Sequence, residues 1–154
     1  LVFFINRYVR DSHAAEDIAI DAFSDLIVHP HRYNFRVTLK TYLFMLGRSR
    51  ALNYIKHHAR MVPTDFSEAE ELPSPAKTPQ DIALANEQRR IVSAALRSLP
   101  QEMASVIHLI YFEELSYAEA GKVMKKTPKQ IDNLLYRAKK ELRAVLGEEG
   151  EQLL

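Results

Sequence analysis

Residues 115–143 admit few folds: they read as a helix, a tight turn and a second, basic helix. In the first helix Tyr117, Ala120 and Val123 or Met124 recur at three-to-four spacing, and Gly121 allows close helix approach. Lys125 and Lys126 form the turn. Thr127 stands where an N-cap oxygen is needed, and Pro128 follows at the first helical position, where its missing N–H costs nothing. Beyond it Ile131, Leu134, Leu135, Ala138 and Leu142 make an apolar stripe. The opposite face carries Lys129, Gln130, Asn133, Arg137 and Lys140. This is the layout of a helix-turn-helix whose second helix can enter a major groove, with Thr127 at its leading edge. An ordinary helical hairpin with a solvated lysine face is the plainer alternative.

Charge by segment separates these readings better than the net charge of +1. From Ala120 to Leu146 eight Lys and Arg stand against Asp132 and Glu141, a local excess of six. The preceding stretch, Pro79–Glu119, holds three Arg and six acids, and the tail adds Glu148, Glu149 and Glu151. Positive charge confined to one element, between neighbours that lack it, is an electrostatic footprint for nucleic acid.

A second basic region has a different character. Between Asp25 and Asp65 lie thirty-nine residues without an acid. They hold Arg32, Arg36, Lys40, Arg48, Arg50, Lys56 and Arg60, with Tyr33, Phe35, Tyr42, Phe44 and Tyr54 interleaved. Basic groups track a phosphate backbone, and aromatic faces stack on unpaired bases at roughly 1–3 kcal/mol per base. Tyr42, with Leu43 and Leu46 at helical spacing behind Leu39, is expected to be at least partly core. The aromatics of the His29–Arg36 loop are harder to assign to a core.

The chain is expected to be all-α: two small helical domains joined by a flexible acidic linker, the C-terminal one containing the helix-turn-helix. One helix ends near Arg10, and Asp11 or Ser12 caps a second that Pro30 stops after Val28. Thr38 caps a long helix to about Arg60, closing a first domain over residues 1–60. Residues 61–78 carry Pro63, Pro73, Pro75 and four acids with no apolar period, and read as the linker. Helices resume in a second domain, 79–146, and 147–154 is a tail. The opening Leu-Val-Phe-Phe, without Met, looks like mid-helix, so the true N-terminus is expected to be missing.

Catalysis finds little support. There is no Gly-rich phosphate loop or nucleophile elbow, and no Cys to hold a disulfide or a thiolate metal site. His29 and His31 flank Pro30, and His57 and His58 are adjacent on a helix, so neither pair faces a common point. Glu16, Asp17, Asp21 and Asp25 recur at helical spacing, as a solvated acidic face or a protein-docking surface. No cofactor, no metal and no enzymatic activity are expected. No apolar run approaches the roughly 18 residues of a membrane span, and the lack of Cys is compatible with the expected cytoplasmic location.

Ala15-Glu16-Asp17-Ile18-Ala19-Ile20-Asp21-Ala22-Phe23 resembles the Ala-Glu-Asp-x-x-Gln-Glu-x-Phe signature of region 2 in bacterial sigma factors of the extracytoplasmic-function group. Residues 39–56 resemble the family's promoter-melting helix, and 95–100, 115–119 and 135–142 resemble its region 4. The resemblance implies a transcription initiation factor. It implies docking of Glu16, Asp17, Ile20 and Asp21 on the β′ clamp of core RNA polymerase. It implies single-stranded minus-ten DNA against His31, Arg32, Tyr33, Asn34, Phe35 and Arg36, with Lys40, Arg48 and Arg50 as phosphate contacts. Region 4 is implied to contact the β flap and to read minus-thirty-five duplex through Thr127, Lys129, Gln130, Asn133, Arg137 and Lys140. An anti-sigma protein is a further implied partner. The 18-residue linker reaches about 60 Å at full extension.

Several positions depart from the family pattern. Ile20 and Asp21 replace Gln and Glu, Tyr42 stands where Trp is frequent, Ser49 where Asn is usual, Asn53 where Asp is usual, and Ala120-Gly121 replaces Ile-Ala. Asp132 lies on the basic helix, to repel phosphate or to accept from a cytosine amine. The rival functions are a polymerase-independent helix-turn-helix regulator and a helical adaptor.

Overall fold

A computed structural model of the chain describes residues 1–58 and 91–147. Helix α1 (Val2–Val9) ends where Arg10 enters the left-handed region at φ 55°. Asp11 caps α2 (Ser12–Val28), its side chain accepting from the Ala14 N–H at 3.0 Å. Pro30 opens a single 3-10 turn, Pro30–Arg32, inside the expected loop. The next long helix, α3 (Leu39–His58), starts at Thr38, whose hydroxyl accepts from the Thr41 N–H at 3.2 Å. An Ncap hydroxyl there satisfies one of the orphan donors of the first turn.

The buried face of α3 is Thr41, Phe44, Gly47 and Ala51. Tyr42, Leu43 and Leu46 are half-buried and Leu39 is exposed, so the expected register is displaced by about one residue. Tyr42 instead lies against Tyr33 of the loop, ring centroids 5.2 Å apart. Gly47 permits the approach of α1: a Cβ there would stand 3.0 Å from Leu1 and 3.1 Å from Ile5.

In the second half, residues 91–98 form α4, and Pro100 precedes α5 (Gln101–Ile107). That helix widens into a π turn, His108–Phe112, which the sequence does not announce. Ser116 and Glu119 cap each other at the start of α6 (Tyr117–Met124), and Thr127 with Gln130 does the same for α7 (Pro128–Leu146). The helix-turn-helix is therefore present as expected, with Ile131, Leu135, Ala138 and Leu142 buried. Tyr117 is the exception, 40% exposed beside buried Ala120, Val123 and Met124. Gly121 serves the turn itself: Lys125 and Lys126 both donate to its carbonyl. A Cβ on Gly121 would meet the Lys126 carbonyl at 2.5 Å.

The two halves also pack directly on each other. The Phe4 ring lies 5.1 Å from Phe44 and 5.9 Å from His108, joining α1, α3 and the π turn in one continuous core. Around it Gln101 donates to the Arg7 carbonyl at 3.3 Å, and Lys40 reaches Glu113. The expected linker, 61–78, and the tail beyond Gly147 lie outside the described residues.

Candidate nucleic-acid and protein-docking surfaces

On α7 the apolar stripe is turned inward, which leaves Lys129, Asn133, Arg137 and Lys140 exposed on one outward side. Thr127 and Gln130 are exposed but tied to one another. The Gln130 carbonyl oxygen accepts from the Thr127 N–H at 2.8 Å, and the Thr127 hydroxyl accepts from the Gln130 N–H at 3.2 Å. Their first task is to start the helix, and DNA contact by either side chain competes with that cap. Asp132 is exposed on the same helix. Tyr136, which the sequence reading passed over, is 72% exposed three residues beyond Asn133 and four before Lys140. Its signal was available: an aromatic residue outside the apolar stripe, at helical spacing from polar neighbours. Lys139 lies over the Tyr111 ring at 5.1 Å, packing the π turn against α7.

The loop before α3 displays its aromatics. Phe35 holds φ 59° and is 82% exposed, a conformation that costs a side-chain-bearing residue about 1–2 kcal/mol. Tyr33 is packed between Phe35 at 4.6 Å and Tyr42 at 5.2 Å, and its hydroxyl donates to the Val37 carbonyl at 2.7 Å. Asn34 accepts from the Arg36 N–H at 3.2 Å. His31, Arg32, Asn34 and Arg36 are exposed around this cluster. Asp25 of α2 braces it: Arg32 lies 2.8 Å and Arg50 3.4 Å from its carboxylate oxygens.

Two of the other expected minus-ten residues are directed elsewhere. Arg48 places its guanidinium over the Tyr8 ring at 5.9 Å, between α3 and α1, with Nε buried and unpartnered. Lys40 sits 3.1 Å from the Glu113 carboxylate of the second half.

Helix α2 presents Glu16, Asp17 and Asp21 with Ile20, all exposed, on one side. The apolar part of that surface is broader than foreseen: Ile20 is 62% exposed, Phe23 47%, Ile27 77% and Val28 67%. An exposed apolar stripe bordered by acids makes this side of α2 a candidate protein-docking surface. It could have been found in the sequence, because α2 has more large apolar residues than one buried face can hold.

Between the halves, His108 is 6% exposed among Phe3, Phe4, Phe44 and Phe112. Its Nε2 lies 3.3 Å from Glu113 Oε1 without the alignment of a hydrogen bond. Burial pushes the imidazole down to about 4, nearby Arg7 acts the same way, and Glu113 opposes both. The folded value is below the unfolded value, so His108 is neutral when folded and the unfolded chain binds the extra proton. Its contribution is intact above about pH 6.5 and declines as pH falls toward 4, by about 2 kcal/mol at pH 5. Wild-type chain should thus melt lower at pH 5 than at pH 7.5, and His108→Phe should flatten the difference; an unchanged pH dependence in that variant would refute the assignment. At Glu119, hydrogen bonds from the Ser116 hydroxyl and N–H hold the carboxyl below its ordinary range.

Among the described residues no group of His, Asp and Glu is placed to hold a metal ion, and no helix is long and apolar enough to cross a membrane. The model of Sigma-70 region 2 matches residues 1–61, and that of Sigma-70, region 4 matches 89–142. The ECF RNA polymerase sigma factor SigM of Bacillus subtilis is 26% identical over 142 residues, covering 92% of this chain and 85% of that protein. The ECF RNA polymerase sigma-E factor of Escherichia coli is 25% identical over 146 residues, covering 90% of this chain and 76% of that protein. In fold, the chain is similar to the sigma factor RpoE of Bartonella quintana, solved in complex with the anti-sigma factor NepR. The TM-score is 0.75 at 18% identity, over 96% of this chain and 89% of that one. With regions 2 and 4 matched in order, the chain belongs to the sigma-70 family, in its extracytoplasmic-function group of RNA polymerase sigma factors.

Proposed function

We propose that the protein binds core RNA polymerase and directs promoter recognition, DNA melting and transcription initiation, as a non-enzymatic factor of the cytoplasm. One observation carries the reading. The region 2 match contains an exposed aromatic loop within an acid-free window, and the region 4 match ends in a helix with an exposed basic side. A regulator of duplex DNA alone has no use for the former.

In this reading Glu16, Asp17, Ile20 and Asp21, joined by Phe23 and Ile27, meet the β′ clamp, and the second half also meets the β flap. The loop from His31 to Arg36 takes an unpaired minus-ten base, with Lys40, Arg48 and Arg50 toward phosphates. Lys129, Asn133, Arg137 and Lys140 face the minus-thirty-five duplex, with Thr127 and Gln130 at the helix start and Tyr136 beside them. An anti-sigma protein is a further candidate partner, since the Bartonella quintana relative in fold was solved with one.

The test is reconstitution with core polymerase, which should give promoter-specific transcripts. The same holoenzyme should prefer a forked minus-ten template to the matched duplex, because unpairing and unstacking a base costs a few kcal/mol that the fork removes. Equal affinity for both templates, unaffected by replacing Tyr33, Asn34 and Phe35 with Ala, would remove the melting role; absence of specific transcripts would remove the function.

A further inference from the structure

Asp132 is exposed, and it is the one acid in the first half of α7, where its charge is the wrong sign for a phosphate contact. It has no structural task there. Thr127 and Gln130 already cap the helix, and the first turn holds no acid. Asp132 comes a turn later, too far along to cap or to meet the N-terminal dipole. Among the described residues it takes part in no ion pair or side-chain hydrogen bond, so Lys129, one turn earlier, does not neutralise it.

Position sorts the charges on the outward side. At about 100° per residue, Asp132 and Tyr136 lie about 60° and 20° to one side of Lys129. Lys140, Asn133 and Arg137 lie about 20°, 40° and 80° to the other. The cations thus gather toward one edge, and over residues 132–136 the opposite edge is acidic and aromatic. Further along that edge, Lys139 and Arg143 are about 10 and 16 Å beyond Asp132, and Lys139 is laid over the Tyr111 ring.

A row of cations follows a phosphate strand, and a carboxylate facing the same strand would weaken binding to every sequence. Turned to the base edges, that carboxylate is an acceptor in need of a donor. The major groove offers one in the N4 amine of cytosine, and the N-terminal residues of a recognition helix are those that reach base edges. Adenine also has an amine, but its N7 acceptor stands beside it and repels a carboxylate, whereas cytosine shows no acceptor of its own there.

We propose that Asp132 is a specificity-determining residue. It accepts a hydrogen bond from the N4 amine of one cytosine in the minus-thirty-five duplex, and so restricts this chain to promoters with a C·G pair at that position. The inference rests on the reading of α7 as the minus-thirty-five binder.

The test offers the holoenzyme promoters randomised through the minus-thirty-five element and sequences the bound fraction. Wild type should favour C·G at one position by about fivefold or more, the lower end for a wrong base pair. Asp132→Ala should lose that preference and keep the others. Asp132→Asn should move it to A·T, since a side-chain amide pairs with adenine N6 and N7. Asp132 is exposed, so both variants should melt with wild type. Uniformly tighter binding by Asp132→Ala, with every preference kept, would make the residue a repeller of phosphate and overturn the proposal. An unchanged profile, the mark of a solvated side chain, would overturn it too. A wild type without preference anywhere in the element would instead strike the reading of α7 beneath it.

The contacted atom is checked by replacing that cytosine with 2-pyrimidinone, which lacks the amine. Wild-type holoenzyme should lose about fivefold more affinity than the Asp132→Ala holoenzyme. An equal loss for both would place the partner of the amine elsewhere on the chain and refute the assignment.

Discussion

Phe4→Ala should destabilise the chain by about 3–5 kcal/mol, the range for deleting a fully buried aromatic side chain. Phe4 is 0% exposed, and its ring meets Tyr8 at 5.3 Å, Phe44 at 5.1 Å and His108 at 5.9 Å. Those partners come from α1, α3 and the π turn, so the cavity opens where both halves of the molecule meet. The surrounding helices are pinned by the Gly47 contact and by the Lys40–Glu113 pair, and collapse around the missing ring is restricted. Where relaxation is restricted, the cavity term adds to the lost transfer free energy. Urea unfolding followed by circular dichroism measures the loss, with Phe3→Ala as the comparison. Phe3 is one residue away but 49% exposed, and its ring meets His108 only at 6.1 Å. A loss for Phe4→Ala no larger than for Phe3→Ala would show that the halves do not share a core.

What could be read from the sequence was local. Asp11, Thr38 and Thr127 cap helices because a short polar side chain can reach the N–H groups of the next turn, whatever packs nearby. The helix-turn-helix was legible for the same reason, from Thr127-Pro128 and the stripe through Ile131 and Leu142. Where partners are distant in sequence, legibility stopped. The α3 register was read from apolar residues, yet its buried face includes Thr41, whose hydroxyl is satisfied by Glu119 seventy-eight residues away. His108 and Ser105 are buried polar residues of the same kind, and hydropathy places neither inside. Lys40 and Arg48 looked like free cations because Glu113 and Tyr8 are not their neighbours along the chain. The loop aromatics were legible as lying outside the core, but the left-handed backbone at Phe35 that exposes its ring was not. On α2 the exposed acids were legible, and the exposure of Phe23, Ile27 and Val28 was missed, because apolar character alone assigns them to a core.

The second large effect separates fold from recognition on a single helix. Ile131 and Lys129 are two residues apart on α7, about 200° around the helix, so one faces α5 and α6 while the other faces solvent. Ile131 is 0% exposed and lies below Gly121, whose absent Cβ would stand 3.8 Å from it. Ile131→Ala should therefore cost about 2–5 kcal/mol. The loss should appear as an earlier unfolding transition, and promoter binding should suffer only in proportion to the unfolded fraction. Lys129 is exposed, so Lys129→Ala should leave the melting temperature within about a degree or two of wild type. Its effect belongs to DNA: if its ammonium neutralises one phosphate, the dependence of log affinity on log salt should become shallower by about 0.9. Binding titrations on minus-thirty-five duplex across a salt series, paired with thermal melts of the same preparations, measure both quantities. Exchange of the two outcomes, with Lys129→Ala melting the chain or Ile131→Ala weakening DNA binding in a fully stable protein, would mean that α7 turns a different face to the promoter.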